Sequence, residues 1–364
     1  MHHQSSRTRP VFAGLLCFVS LTFGHSALAE FRFSALGSYS NIDGIGTDQD
    51  VYRFSISGFL RPVDDQKGPL VEAAFLNRSS SLTYSYSRSE LDIEQVAIIS
   101  GTITDTVTID AAASDGAQTD VNAHRLSARY VFPDSGWIVG GGIDLEDGET
   151  DSPTGVGFES TATSDIDAWS VDLTVGRYLL AQTSVTLAAS YGTTETDTDS
   201  TGTAFLDPAI PAGELQLETQ IEVDNDIFDV GFLLEHVGDV GSDSFRVNLN
   251  AGYSSTETDA RVMTSFTGFP VDSPDMVNEF EMDLGTIEGW NAGIGGTWYF
   301  SRAFGLSSSY AYTDFGFLET NTYSGGFTWF VAPKFELSGS YAISDFIGFG
   351  GTTETWQVGL RGRF

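Results

Sequence analysis

The chain ends in the stretch TTETWQVGLRGRF, Thr352 to Phe364, and this stretch decides the fold. Every second residue from Trp356 onward falls on one side of an extended chain, and that side is apolar apart from Gly362. The opposite side carries Arg361 and Arg363. A period of two residues with one apolar face predicts a β-strand.

The aromatic residues at the two ends of this apolar face indicate its surroundings. Trp356 and Phe364 lie about eight residues apart, and at ~3.3 Å per residue this separation is close to the ~25 Å apolar band of a transmembrane β-barrel, which has aromatic belts at both water interfaces. The stretch also resembles the closing strand of Gram-negative outer-membrane β-barrels, which commonly ends in a C-terminal Phe. The resemblance implies that Trp356, Val358, Leu360 and Phe364 form the signal read by the outer-membrane barrel assembly machinery.

The same alternation recurs from Phe31 to the end of the chain. One unpaired first strand, six hairpins and the closing strand give about 14 strands, within a range of about 12 to 16. An even number of strands closes an antiparallel barrel with both termini on one side. The sequence therefore predicts an all-β, closed antiparallel up-and-down transmembrane β-barrel of the porin type, located in the outer membrane of a Gram-negative bacterium.

Two segments fit the repeat poorly. The pattern predicts a tight turn over residues 62–69 and a third strand between Leu70 and Ser87, within which the apolar face switches from odd to even positions. We interpret the switch as a β-bulge or a misplaced boundary. Residues 95–109 contain enough β-branched residues for an extra hairpin above the membrane.

The connections alternate in length, which orients the barrel. Short turns share a side with both termini and are predicted to be periplasmic, whereas long acidic connections are predicted to be extracellular loops. The four long connections are residues 88–120, 146–167, 194–226 and 257–283.

The first 29 residues have the composition of a signal peptide. Arg7 and Arg9 precede a short apolar run, and Ala27-Leu28-Ala29 forms an A-x-A cleavage site. Residues 30–364 would then form the barrel as one domain. The single cysteine, Cys17, would be removed with the signal, which excludes disulfides and thiol-based sites from the mature chain.

A soluble secreted β-sandwich or β-helix would also show alternating strands. The distribution of residues on the two faces favours the barrel, because aromatic residues concentrate at strand ends and the opposite face is small and polar. That second face includes Ser170, Thr174, Ser190, Asn248, Asn250, Gly293, Gly295, Ser307, Ser309, Ser324, Thr328, Ser338 and Ser340.

The formal net charge of −33 excludes nucleic acid as a partner, because little positive charge is available to displace phosphate counterions. The same balance favours cations. Residues 194–226 contain nine acidic residues and no Lys or Arg, so the acidic loops could concentrate cations at a pore mouth or loosely bind Ca²⁺ or Mg²⁺ that bridges lipopolysaccharide phosphates. Alternatively, they form a solvated face suited to saline water.

Charged residues on the predicted inner face are the candidates for pore lining. Opposed rows of arginine and carboxylate resemble the constriction of general porins, in which they create a transverse field. Alternatively, the charges pair along the wall and only solvate it. The candidates are Arg53, Arg125, Arg129, Asp144, Asp172, Asp229, Glu235, Arg246, Glu336 and Arg361.

These features predict a channel for passive diffusion of small hydrophilic solutes or ions, with a modest preference for cations. A surface or structural barrel whose loops bind divalent cations, lipopolysaccharide or a partner is the alternative. An outer-membrane lipid-acting enzyme or protease is a third possibility, but the sequence has no H-E-x-x-H or G-x-S-x-G motif. His124 and His236 are interpreted as interfacial side chains. We therefore predict no catalytic residue, no metal centre and no cofactor.

Overall fold

A computed structural model of the protein describes residues 30–44, 47–64, 66, 68–96, 101–104, 107–109, 114–153, 159–204, 215–267, 276–316, 318–347 and 351–364. The predicted signal peptide lies outside these residues. Strands dominate the described residues, and none of the described helices is long and apolar enough to span a membrane. The strands are β1 (Glu30–Gly44), β2 (Thr47–Asp64), β3 (Ser81–Val96), β4 (Gly101–Thr104), β5 (Val107–Ile109), β6 (Ser114–Val131), β7 (Trp137–Pro153), β8 (Glu159–Leu180), β9 (Thr183–Ala204), β10 (Leu215–Val240), β11 (Asp243–Thr267), β12 (Met276–Ser301), β13 (Phe304–Asp314), β14 (Glu319–Ala332), β15 (Phe335–Ile347) and β16 (Thr352–Arg363).

Fourteen of these strands form one closed antiparallel barrel, which confirms the predicted fold and strand number. Each barrel strand pairs with its neighbours along the chain, and β1 pairs with β16 to close the sheet, from Ser34 opposite Arg363 to Asp43 opposite Glu354. Closure leaves no free strand edge, as a bilayer requires. The remaining strands, β4 and β5, form a separate hairpin in the connection between β3 and β6.

The two faces of the wall differ in composition. In β16, Trp356, Val358 and Leu360 point outward with 40–47% of their surface exposed, whereas Gly359 points inward and is buried. The outward faces of the other strands are similarly rich in exposed large apolar residues. Water would not tolerate so large an apolar band, so the outer face contacts lipid.

The described residues of the four long acidic connections belong to strands, so the prediction of loops is wrong for those residues. β10 alone has 26 residues, and strands of about 9–11 residues suffice to cross a bilayer. Residues 193–203 read TTETDTDSTGT, and here threonine alternates with acid. Threonine is β-branched and fits a pleated strand, so β9 and β10 continue as a sheet beyond the membrane. Their acidic side chains point outward, because the alternation of faces continues.

The predicted third strand is also wrong over residues 70–80. β2 continues to Asp64, and β3 begins only at Ser81. Between them lie a 3₁₀ turn, Leu70–Glu72, and a single α-helical turn, Ala73–Leu76. The odd apolar positions therefore belong to a helical segment, and the even ones belong to the strand, which explains the switch in parity.

Candidate functional site in the barrel lumen

The ten charged residues predicted to line the pore all lie on the inner face of the wall. Each is flanked along its strand by outward-facing residues, as Arg125 is by His124 and Leu126. The structure divides nine of them between two levels of the lumen, which we call the middle and the periplasmic end. The tenth, Arg53, is exposed, and the described residues show no ion pair to it.

In the middle of the lumen, one arginine lies between two aspartates. Arg125 on β6 donates from Nη1 to Oδ2 of Asp144 at 2.6 Å and from Nη2 to Oδ2 of Asp172 at 2.8 Å. Asp144, Asp172 and Arg125 lie on three successive strands, so short cross-strand distances bring them together. Arg125 keeps 44% of its side-chain surface exposed. The group is therefore solvated.

A further carboxylate lies on the same side of the lumen. Asp229 on β10 accepts a hydrogen bond from the Ser190 hydroxyl at 3.1 Å, and it lines the same cavity as Arg125, a space of about 640 Å³. Asn250 and Asn291 add amide groups to the lining. This part of the wall thus presents three carboxylates for one guanidinium.

The periplasmic end is filled by residues 68–80, which we call the crossing segment. The segment follows β2 in the chain. The backbone N–H of Leu70, however, donates to the carbonyl of Arg302, 2.9 Å away in the turn between β12 and β13. Arg302 Nε in turn donates to the Gly68 carbonyl at 3.1 Å. Six steps around the barrel separate β2 from β12. The segment therefore crosses the barrel opening.

Glu72 connects the crossing segment to the opposite wall. Its side chain accepts a hydrogen bond from the Tyr299 hydroxyl at 2.5 Å and lies 3.3 Å from Nη1 of Arg246. Arg246 also pairs through Nη2 with Glu235. Glu72 and Tyr299 are each 3% exposed. Glu72 is thus a buried member of this network, although Arg246 and Glu235 keep 35% and 15% of their side-chain surface exposed.

The β8 side of the crossing segment packs against the wall through aromatic and apolar contacts. Phe75 packs on Tyr178 with ring centroids 5.4 Å apart, next to Val131 and Ile138. The Tyr178 hydroxyl donates to the Phe75 carbonyl at 3.0 Å and accepts from Arg129 at 3.1 Å. Arg129 thus supports the crossing segment and does not face an open pore.

A second buried ion group lies at the periplasmic end on the other side of the barrel. Glu336 on β15 accepts from Nη1 of Arg361 at 3.1 Å and lies 4.0 Å from Nη2 of Arg363. The Arg363 guanidinium stacks over the Phe330 ring at 4.4 Å. Glu336 and Arg363 are each 3% exposed. Inward side chains therefore fill this part of the lumen too.

Sequence analysis missed Glu72, Tyr178 and Tyr299. The available signal is the switch of apolar parity near Leu70; of its two interpretations, a β-bulge or a misplaced boundary, the misplaced boundary is confirmed, because β3 begins only at Ser81. Pro69, followed by an acidic first turn, was consistent with a helical start. Tyr178 and Tyr299 occupy inward positions at strand ends, where an aromatic residue looks like part of an interface belt.

The two histidines in the described residues lie on the outer face. His124 Nδ1 is 2.9 Å from the Tyr84 hydroxyl, and its ring packs against Tyr86. His236 Nδ1 is 2.8 Å from the Thr183 hydroxyl, beside Phe245. Both environments are those of interfacial side chains.

The chain is similar to known proteins in part of its sequence and in its fold. Residues 13–157 match the family model described as putative general bacterial porin. A search of curated proteins gives no match to the chain. Among solved structures, the CymD monoaromatic hydrocarbon channel aligns with a TM-score of 0.59 at 11% identity, covering 92% of this chain and 89% of that one. The toluene transporter TbuX of Ralstonia pickettii aligns with a TM-score of 0.53 at 11% identity, covering 93% and 90%. The toluene transporter TodX of Pseudomonas putida gives 0.52 at 11% identity, covering 92% and 89%.

The chain has the fold of an outer-membrane β-barrel, and its residues 13–157 are similar to general bacterial porins. The family model matches less than half of the chain, and the structural likenesses at 11% identity concern the fold alone. No narrower family is assigned to this barrel.

Proposed function

We propose that the barrel is a channel for passive diffusion of small hydrophilic solutes, with a modest preference for cations. One observation carries the proposal: the cavity of about 640 Å³ in the middle of the lumen is lined by charged, hydroxyl and amide side chains, together with small and apolar residues such as Ala188 and Leu233. Barrels of 16 to 18 strands leave an aqueous channel, whereas eight strands are filled by side chains. Fourteen strands lined by small residues fit a narrower aqueous passage.

The cation preference follows from the charge of this lining. Asp144, Asp172 and Asp229 outnumber Arg125, and the low-dielectric wall focuses their field into the lumen. Rings and rows of carboxylates favour cations in other pores. The acidic outer sheet above the membrane adds to this effect by raising the local cation concentration, within a Debye length of ~10 Å at moderate salt.

The structural neighbours CymD, TbuX and TodX are described as a hydrocarbon channel or toluene transporters. The lining found here points to a different class of solute. An apolar solute would have to replace water next to charged Arg125 and Asp172 without offering them hydrogen bonds, which is unfavourable. Hydrophilic solutes offer such bonds.

The test is conductance of the refolded barrel in planar bilayers with asymmetric KCl, in which the sign of the reversal potential reports ion preference. The wild type should conduct and prefer K⁺. The double variant Asp172→Asn/Asp229→Asn should lose most of this preference, because two of the three middle carboxylates become neutral. Asp224→Asn is the matched control, since it removes one carboxylate from the outer face of β10.

Two results would count against the proposal. One is a folded, inserted barrel that shows no conductance at any pH or salt concentration, even after removal of the crossing segment. The other is an equal loss of cation preference in Asp224→Asn, which would assign selectivity to the outer sheet instead of the lumen.

A second candidate function is favoured by the outer face of the extension above the membrane. One acidic residue from each of six successive strands, β7 to β12, stands directly opposite the next: Asp147, Asp167, Glu195, Asp224, Asp259 and Asp283. We call them the acidic row. Like charges directly opposite one another destabilise a sheet, and bound divalent cations would relieve this. Loose binding of Ca²⁺ or Mg²⁺, bridging to lipopolysaccharide phosphates, is thus a proposed surface function.

Thermal unfolding distinguishes this candidate. Ca²⁺ should raise the unfolding temperature of the wild type, and a chelator should reverse the shift. Asp224→Asn/Asp259→Asn should reduce the shift, whereas Asp172→Asn/Asp229→Asn should retain it. A chelator without effect on stability or on lipopolysaccharide binding would remove the candidate.

A further inference from the structure

The two sides of the crossing segment are held by different kinds of contact. Near β2 and on the β8 side the segment is held by apolar packing, with Ala73 buried on Val63 and Phe75 on Tyr178, together with the hydrogen bond from the Tyr178 hydroxyl to the Phe75 carbonyl. On the β12 side the contacts are polar. They include the backbone bond from Leu70 to Arg302, the bond from Arg302 to Gly68, and the contacts of Glu72.

Glu72 makes the strongest of the polar contacts. Its carboxylate is almost fully buried and is shared between the Tyr299 hydroxyl and the Arg246 guanidinium. Hydrogen bonds that involve a charged group are roughly twice as strong as neutral ones. A buried carboxylate without these partners would be costly, so Glu72 leaves this position only when the segment moves into water.

Such a movement would leave neither Arg246 nor Tyr299 buried without a polar partner. Arg246 would keep its ion pair with Glu235, which lies on the neighbouring strand β10. The Tyr299 hydroxyl would face the water of the lumen. The barrel sheet closes through β1 and β16, and the hydrogen bonds that Leu60 and Val131 donate to Ser80 lie at the β3 end of the segment and not on the β12 side. The segment can therefore swing on its apolar side without any break in the sheet.

We propose that the crossing segment is a gate across the periplasmic mouth, and that Glu72 is the positioning residue that holds it closed against Arg246 and Tyr299. The inference rests on the proposed channel function and deepens it. The gate, and not the middle of the lumen, sets the largest solute that passes and the fraction of time for which the channel is open.

The first readout is independent of conduction. Ala73 is fully buried, so Ala73→Cys reports opening through its rate of reaction with a membrane-impermeant maleimide. Cys17 is the only natural cysteine and is removed with residues 1–29 or replaced by Ser. Adding Glu72→Gln should speed the labelling about tenfold, the order expected from loss of one charge-assisted hydrogen bond.

Glu235→Gln is the matched control. Glu235 shares Arg246 with Glu72, and its ion pair is with the wall residue Arg246 and not with the crossing segment. Its loss leaves Arg246 free to pair fully with Glu72, so labelling of Ala73→Cys should stay at the wild-type rate. Equal acceleration by both variants would overturn the proposal, because a general loosening of the wall would explain it.

The second readout is conduction in planar bilayers, with graded polyethylene glycols as probes of pore size. Glu72→Gln should admit larger polymers and raise the open fraction. A disulfide between Leu70→Cys and Arg302→Cys, whose backbones are hydrogen-bonded, should abolish both effects until it is reduced. Unchanged labelling and unchanged polymer exclusion in Glu72→Gln would overturn the gate. Faster labelling without conductance in any variant would retain the gate and refute the channel.

Discussion

Two ion groups on the inner wall have similar compositions but different surroundings. In the middle, Arg125 pairs with Asp144 and Asp172, and the three side chains keep 44%, 30% and 18% of their surface exposed. At the periplasmic end, Glu336 pairs with Arg361 and Arg363; the side chains of Glu336 and Arg363 are only 4% exposed, whereas Arg361 keeps 28%. The comparison shows that the position of a charged residue along the lumen, and not its residue type, decides how far it is exposed to water.

The physical reason is access of water. Exposed ion pairs contribute ~0–1 kcal/mol to stability because water and salt screen them. Breaking a buried pair by removing one partner costs about 3–5 kcal/mol because the remaining charge stays desolvated. The middle charges are therefore in contact with water, whereas the buried periplasmic charges stabilise the fold.

The largest expected effect comes from removing the crossing segment from the periplasmic end of the lumen. Replacing residues 66–79 with a short Asn-Gly turn should join β2 to β3 directly and make the two levels of the lumen alike. Single-channel conductance should rise several-fold, since the crossing segment would no longer cover the periplasmic mouth.

A matched deletion makes this test specific. Shortening the β4–β5 hairpin at residues 101–109 removes a similar length of chain from the opposite end of the barrel and should change conductance little. Equal conductance of wild type and the variant lacking the crossing segment would show that the constriction lies elsewhere.

The second-largest expected effect is a loss of stability when a buried ion group is broken. Glu336→Gln leaves Arg361 and Arg363 without their shared carboxylate and should lower the free energy of unfolding by ~3 kcal/mol or more. Arg125→Gln should lower it by less than ~1 kcal/mol. Urea unfolding in lipid vesicles measures both, and equal losses would remove the distinction between the two ion groups.

A smaller effect concerns selectivity. Arg125→Gln removes the positive charge from the middle and leaves Asp144, Asp172 and Asp229 unopposed. The reversal potential in asymmetric KCl should shift further toward the K⁺ value. Arg361→Gln, at the buried end, should shift it less. The reverse ranking would place the selective charges at the periplasmic end.

The smallest expected effect lies outside the membrane, in the acidic row. The carboxylates of Asp197 and Asp224 raise the pKa of Glu195 above its ordinary value of 4.5. An acid whose pKa is higher in the folded state binds its proton more tightly there, so stability falls as pH rises from the unfolded-state pKa to the folded-state pKa, and stays lower above it. Glu195→Gln should therefore be slightly more stable than the wild type at neutral pH and equal to it below pH 4.5.

Thermal unfolding at the two pH values checks this difference. Asp134→Asn, in the periplasmic turn between β6 and β7, removes the same charge far from the acidic row and should show no such change with pH. A stabilisation by Glu195→Gln that persists in acid would mean that like-charge repulsion is not its cause.

Most features of the barrel wall could be predicted from the local sequence pattern. The alternation in β16, with Trp356 and Leu360 outward and Arg361 inward, predicted the strand, its faces and the closed barrel, because the side-chain period of two is a property of the strand itself. The inner-face positions of Arg125 and Asp172 followed from the same parity. The extension of β9 and β10 was missed because both faces of the strand are polar there, as Thr196 on one face and Asp197 on the other show.

By itself, the sequence determined which side chains face lipid and which face the lumen, since covalent geometry fixes that alternation. Only the tertiary structure decided the depth and burial of each inner charge, and only it brought Glu72 to Tyr299, 227 residues away. Closing the barrel places the β12–β13 turn across from β2, and no local period encodes such a distance. The same closure separates an open middle from a filled end, because water reaches one level of the lumen and is excluded from the other.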